Sequence, residues 1–397
     1  MEDRIILHCD LNAFYASVEL LDHPELREVP AAVCGDPASR RGIILAKNES
    51  AKRFGVQTAE TIWQARKKCP GLVLLPPHRR RYQEYSRKVN GIYREYTDLV
   101  EPFGIDESWL DVTHSLHLFG LDGKGLADLL RQRVRQELGL TLSAGVSFNK
   151  VFAKLGSDYR KPDATTVISR ENWKEIVWPL PVGSLLYVGS ATVRLLKRYG
   201  VETVGDLAAF PRDALEKLCG KAGTQLHACA NGLENSPVVR DTGPVKSVGN
   251  GNTFPENLTT REQVREGIAM LSDSVAVRLR KAGLYAGGIQ VTLRDPAFRD
   301  RSRQRQLSAP TRLIRELSAA AFDLAEELWK PPAPLRAMTV TAIHLVEEAD
   351  TWEQADLFAA PGQRDRDVRL EDAMARIREK YGTASIAFGS GGRKGYL

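Results

Sequence analysis

The chain has no run of about 18 or more apolar residues, so no segment reads as a membrane span. Its opening Met1-Glu2-Asp3-Arg4 lacks a basic stretch followed by an apolar core, so no secretory signal is expected. Cysteine is sparse. The five present (Cys9, Cys34, Cys69, Cys219, Cys229) are odd in number, and none is spaced Cys-x-x-Cys. This argues against a disulfide framework and a thiolate zinc site, and a reducing, cytoplasmic setting is expected. There is no internal repeat and no low-complexity tract. What remains is a chain of 397 residues, 43% of them hydrophobic, enough for two to four domains with a core each. The net charge of +6 mildly favours a polyanionic partner.

Two acidic patches stand out. Asp10 ends the apolar run Ile5-Ile6-Leu7-His8-Cys9, and Asp106-Glu107 lie within the stretch Glu101 to Val112. Both stretches read as short buried strands. If those strands pair, three carboxylates converge with no cation of the protein's own to answer them. Like charges repel and burial disfavours the charged form, so a bound divalent metal is the simplest remedy. Hard oxygen ligands suit magnesium, which takes phosphate oxygens among its remaining ligands. Neighbours in a regular strand point to opposite faces. Asp106 and Glu107 can therefore share a site only at a strand end, turn or bulge, and Gly104 permits one.

Along the chain, strands and helices interleave up to about residue 167. Asn12 is placed to cap a short helix carrying Phe14 and Val18. Leu142–Ser147 reads as a strand. From Trp173 to Gly232 short helices alternate with glycines, and Leu185 to Thr192 suggests a helix–hairpin–helix. Its Gly189 and Ser190 would aim backbone N–H groups at a phosphate; a plain helical turn is the alternative. After a polar linker, the order β-α-β-β-α-β describes a split βαβ domain, with capping-box spacing at Thr259 to Glu262. Its central hairpin carries Arg294, Arg299, Arg301, Arg303 and Arg305 against only Asp295 and Asp300. Such a run is either a solvated edge or a rim that binds phosphates without reading bases.

Three motifs carry a family resemblance. Asp10 to Glu19 (DLNAFYASVE) resembles the opening motif of Y-family translesion DNA polymerases. Ile105 to Val112 (IDESWLDV) resembles their second acidic motif, and Ser143 to Asp158 with Lys161-Pro162 resembles the third. Bacterial DNA polymerase IV is the most similar branch. The resemblance implies an α+β multidomain fold shaped like a right hand. The palm falls on 1–10 and 77–167, small fingers on 11–76 and a helical thumb on 168–232. A linker follows at 233–243, then a little finger at 244–350 and a tail at 351–397.

It also implies template-directed DNA synthesis past damaged bases. Two magnesium ions, for which manganese can substitute, would be held by Asp10, Asp106, Glu107 and the Leu11 carbonyl. Tyr15, beside Phe14, matches a gate against ribonucleotides. Lys161 matches a triphosphate contact, and Lys52 stands where an arginine is usual. Glu49 departs from a usual tyrosine, Ala46 from a small hydroxyl residue, and Tyr187 from a hairpin glycine. Gln354, Leu357 and Phe358 resemble a sliding-clamp motif, and Ser108 is expected near the metals. Primer–template DNA, deoxynucleotides and the clamp are the partners implied, with the chain a monomer. A nuclease or nucleotidyl cyclase on a similar sheet, or an inactive DNA-binding relative, remain rival readings at this stage.

Overall fold

A computed structural model describes residues 4–37, 42–240, 243–351, 363–382 and 385–386 of the chain, in two units, residues 1–242 and 243–397. The sequence-level α+β expectation holds in both. Among the described residues no helix is long and apolar enough to cross a membrane.

The first unit is built around a five-stranded sheet. Its order is Val100–Pro102, Glu107–Asp111, Ile6–Leu11, Leu142–Ser147, Thr165–Ile168. Ile6–Leu11 is the central strand, antiparallel to both neighbours, with Asp10 opposite Glu107. Period-two alternation sorts its side chains. Leu7, Cys9 and Leu11 join Leu126, Leu130 and Val134 of the helix Gly123–Leu138 in one core. His8 and Asp10 emerge on the other face, beneath the helix Lys150–Tyr159.

That helix lies unusually close to the sheet. A Cβ on Gly145 would sit 1.9 Å from the Ala153 carbonyl oxygen and 2.4 Å from the Ser157 amide nitrogen. A Cβ on Gly156 would sit 2.9 Å from the Gly145 Cα. Both obstacles are backbone, so neither can turn aside, and glycine is required at each position.

A second, three-stranded sheet (Ile44–Lys47, Ala31–Cys34, Val73–Leu75) carries the helices Glu49–Arg53 and Ile62–Lys68. Asn48 caps the first of these through Ala51 N and also accepts from Ala31 N, tying helix to sheet. Short helices then run from Trp173–Val177 to Lys221–Ala230. In the expected hairpin the first helix is only the 3-10 turn Val182–Ser184, followed by the helix Ser190–Lys197. Tyr187 takes a left-handed conformation, φ 71°, where glycine would be unstrained.

The second unit follows the expected β-α-β-β-α-β order. Its sheet runs Asp300–Thr311, Leu284–Arg294, Leu335–Glu347, Ser247–Leu258. Ile289, Val291 and Leu293 pack with Met338, Val340 and Ala342 against the helices Arg261–Ala282 and Ile314–Leu328. The contacts of the last helix, Gln363–Tyr381, could not be read from sequence. Its Glu371 is buried, accepts from the Ile314 amide at 2.9 Å and pairs with Arg280. It thus supplies the cap that Leu313 cannot give the helix Ile314–Leu328.

Two local expectations are corrected. Asn12 does not cap the helix Phe14–Glu19; Ala13 holds that position in a left-handed turn, and the Asn12 side chain bonds Ser143 and Thr141 across the sheet. The capping box sits one residue later than expected, on Thr260 and Gln263, because Gln263 and not Glu262 turns back toward the chain entering the helix.

Gly145→Ala is expected to destabilise the chain by about 3 kcal/mol, since the new methyl meets backbone and not a movable side chain. Urea denaturation checks this; an unchanged midpoint would show that helix and sheet can part at no cost.

Candidate active site

One cleft in the first unit, about 560 Å³, is lined by Asp10, Leu11, Phe14, Tyr15, Glu49, Lys52, Asp106, Glu107, Lys154 and Lys161. Sequence reasoning had named every one of these except Lys154 as a candidate or as a departure at the site. Lys47 and Thr58 also line it, joined to each other at 3.1 Å.

The acidic cluster forms as strand geometry allows. Glu107 begins its strand, whereas Asp106 belongs to the turn after Val100–Pro102. The turn is pinned by two backbone bonds, Phe103 N to Glu107 O and Leu11 N to Asp106 O. Alternation is broken there, so Asp106 and Glu107 both reach the cleft.

The expectation that no protein cation answers these carboxylates is wrong. Lys154 Nζ lies 2.5 Å from Glu107 Oε2 and 3.5 Å from Asp10 Oδ2. Lys161 Nζ lies 2.7 Å from Asp10 Oδ2. Burial opposes the charged form of both lysines, but the surrounding carboxylates outweigh it and hold them above the usual lysine range. Burial likewise works to raise Glu107, yet His8 and Lys154 outweigh it and hold its carboxyl low. Asp106 has no ion-pair partner among the described residues. Burial, then the charges of Asp10 and Glu107, push its pKa up to about 6.

Lys154 was overlooked because it follows the Asn149-capped start of a helix that reads as core. The available signal was its place between buried Ala153 and buried Leu155, in a row otherwise free of charge from Val151 to Gly156.

Ser108 is corrected too. It faces away from the cleft, because it pairs with Cys9, and its hydroxyl donates to Asn90 at 2.9 Å. Asp111 accepts from the Thr113 hydroxyl, a structural role.

Tyr15 stacks on Tyr82 with ring centroids 4.1 Å apart and an interplanar angle of 10°. The Tyr82 hydroxyl donates to buried Glu19, which also takes a bond from His78. Phe14 is buried against both rings. Glu49 does not point a bare charge at the cleft; it pairs with Lys52 at 3.3 Å.

The remaining candidates lie elsewhere in their units. Gly189 precedes the helix Ser190–Lys197, with open space around it. Arg301, Arg303 and Arg305 stand opposite Leu293, Val291 and Ile289, and so lean toward the helix side of their sheet. Arg303 and Arg305 pair with Glu327, Arg305 also reaches Asp323, and Arg299 pairs with Asp295. Acids of the same unit therefore answer Arg303 and Arg305, which the local count of acids did not reveal, while Arg301, among the described residues, meets only the Leu328 carbonyl at 3.5 Å. Gln354, Leu357 and Phe358 lie outside the described residues.

Among the described residues no three His, Cys, Asp or Glu side chains are gathered closely enough to enclose a metal ion. The donor set nevertheless suits a hard divalent cation. The lysines engage one oxygen each of Asp10 and Glu107, namely Oδ2 and Oε2, and among the described residues no cation pairs with Asp106.

Comparison with known proteins places the chain. The sequence matches the impB/mucB/samB family over residues 9–158, and that family's C-terminal domain over residues 245–357. It is 46% identical over 388 residues to DNA polymerase IV of Acetivibrio thermocellus, spanning 97% of each chain. It is 35% identical over 390 residues to DNA polymerase IV 1 of Bacillus subtilis, spanning 98% of this chain and 93% of that one. A solved Y-family DNA polymerase chimera has the same fold, with a TM-score of 0.78 at 24% identity, covering 87% of this chain and 100% of that one. The chain belongs to the impB/mucB/samB family of Y-family polymerases. Its relatives place it in the DNA polymerase IV branch.

The raised pKa of Asp106 makes the acidic cluster a cost to folding. The folded chain binds this proton more tightly than the unfolded one, so the penalty is absent well below pH 3.8, grows as pH rises toward 6, and is full above it. Asp106→Asn removes it. At pH 8 in chelator the variant is expected to be more stable by about 1–2 kcal/mol, discounted for solvent exposure, and the gain should vanish near pH 4. Thermal melts across that range check the sign; a variant no more stable than the parent at pH 8 contradicts it.

Proposed function

We propose that the chain is a DNA-directed DNA polymerase for translesion synthesis, transferring deoxynucleotides from their triphosphates to a primer 3′-hydroxyl. The observation that carries this reading is the single cleft in which Asp10, Asp106 and Glu107 meet Tyr15, Lys52 and Lys161. A nuclease or cyclase needs neither the stacked tyrosines nor a second unit of this fold.

In this reading Asp10, Asp106, Glu107 and the Leu11 carbonyl hold two divalent ions, magnesium by donor chemistry. Ions held there would supply activation of the primer hydroxyl and neutralisation of the departing pyrophosphate. Lys161 and Lys52, with Lys47 beside them, receive the triphosphate as point charges. The Glu49–Lys52 pair weakens that grip, because Lys52 must leave a carboxylate to meet a phosphate. Tyr15 supports the sugar and leaves no room for a 2′-hydroxyl. Its stack on Tyr82, anchored through Glu19, keeps the ring from yielding.

The palm is assigned to residues 1–10 and 77–167, the fingers to 11–76, the thumb to 168–232 and the little finger to 244–350. The Gly189–Ser190 turn and the arginines Arg299, Arg301, Arg303 and Arg305 are assigned to the DNA backbone. Exposed ion pairs are worth only about 0–1 kcal/mol each, so a phosphate can displace Glu327 or Asp295. Gln354, Leu357 and Phe358 are assigned to a sliding clamp, with a monomeric chain acting in the cytoplasm.

Primer extension with single deoxynucleotides on undamaged and damaged templates tests the central reading. Asp106→Asn should abolish extension yet bind primer–template within about threefold of the parent; an active variant would remove the metal assignment. Tyr15→Ala should incorporate ribonucleotides at least about tenfold more readily, whereas unchanged sugar selection would reject the gate. Replacing Leu357 and Phe358 by alanine should weaken clamp binding by about tenfold or more in a pull-down titration, with unaltered binding rejecting that motif.

A further inference from the structure

His8 is wholly buried two residues before Asp10, and no step above uses it. Its ring lies against Trp109 at 5.3 Å between centroids. Nδ1 is 2.8 Å from Ser157 Oγ, whereas Nε2 lies 3.4 Å from Glu107 Oε2 and makes no hydrogen bond among the described residues. A ring nitrogen sealed from water and aimed at a site carboxylate is a costly arrangement unless that nitrogen donates.

Ser157 decides whether it does. Its Oγ has two partners, His8 Nδ1 and the Lys154 carbonyl, each at 2.8 Å. If the hydroxyl donates to Lys154 O, a neutral His8 carries its proton on Nδ1 and turns a lone pair on Glu107. If the hydroxyl donates to Nδ1, the proton sits on Nε2 and points at Oε2. The second arrangement sets an N–H and not a lone pair against Glu107 Oε2.

Resting on the polymerase reading, we propose that His8 is a positioning residue for Glu107. Lys154 Nζ holds Oε2 and the Nε2–H group faces the same oxygen from behind, so the carboxylate is steadied with Oε1 presented to the cleft. A carboxylate held through one oxygen offers the other in a defined direction, which is what a ligand to a hard cation requires. Ser157, one turn beyond Lys154 on the same helix, sets the His8 tautomer. The close helix–sheet contact at Gly145, the residue opposite His8, keeps all three groups in register.

The test uses the full chain with His8→Gln, which keeps a donor near the Nε2 position, and His8→Phe, which fills the space without one. Single-nucleotide incorporation is measured together with Mn²⁺ binding by water proton relaxation in the absence of nucleotide. His8→Phe should lower turnover by about tenfold or more with KM for the deoxynucleotide within about twofold, and weaken Mn²⁺ binding by about tenfold. His8→Gln should recover both to within about threefold of the parent. Should His8→Phe fail to fold, Ser157→Ala, which frees the tautomer, should show the same two losses in milder form. Parental turnover and Mn²⁺ affinity in His8→Phe, or in Ser157→Ala where it stands in, overturn the inference. So does a His8→Gln variant as impaired as His8→Phe. A parent chain that neither extends primers nor binds Mn²⁺ would instead sink the polymerase reading, and this inference with it.

Discussion

Everything in the cleft depends on how closely one helix lies against one strand. The helix Lys150–Tyr159 packs on Leu142–Ser147 through Gly145 and Gly156, with no side chain between them. That proximity lowers Lys154 onto Glu107 and Asp10, and Ser157 onto His8. A single methyl group in the gap would lift the helix, and the charges that answer the carboxylates would rise with it. Two glycines thus control an electrostatic arrangement to which they contribute no charge.

The charge balance is deliberately incomplete. Asp10 and Glu107 each have one oxygen held by a lysine, while Asp106 has no such partner among the described residues. A fully paired cluster would be more stable and chemically inert, because a divalent ion would find no unspent negative charge. The folded chain carries the repulsion at Asp106 as a local penalty, offset by the cores around Leu7, Leu126 and Leu130 on the opposite face of the same sheet. The departure at Glu49 acts in the other direction. Its pairing with Lys52 moderates the positive wall of the cleft.

Much was legible beforehand. The strand Leu142–Ser147 was read with its observed limits, and Ile289, Val291 and Leu293 face the core as alternation required. Local rules suffice for such elements, since a period of two or a capping residue is written in consecutive positions. The misreadings share a cause. Asn12 is a good cap by type, but the sheet offers its side chain Ser143 and Thr141, and those win. The arginines of Asp300–Thr311 look unbalanced along the chain, yet Asp323 and Glu327 come from the helix Ile314–Leu328, distant in sequence. Ser108 lies beside Glu107 in sequence and on the far side of the sheet in space.

The amino-acid sequence by itself pointed to most of the residues that meet in the cleft, because carboxylates at strand ends and the Phe14-Tyr15 pair are patterns of neighbouring positions. It also determined the order of elements in both units. Only the tertiary structure decided how the charges are shared: that Lys154 bridges two carboxylates, that Asp106 has no ion-pair partner among the described residues, and that His8 stands behind Glu107. Those facts depend on distances between strands and helices far apart in the chain. Electrostatic energy follows distance in space, on which sequence separation is silent.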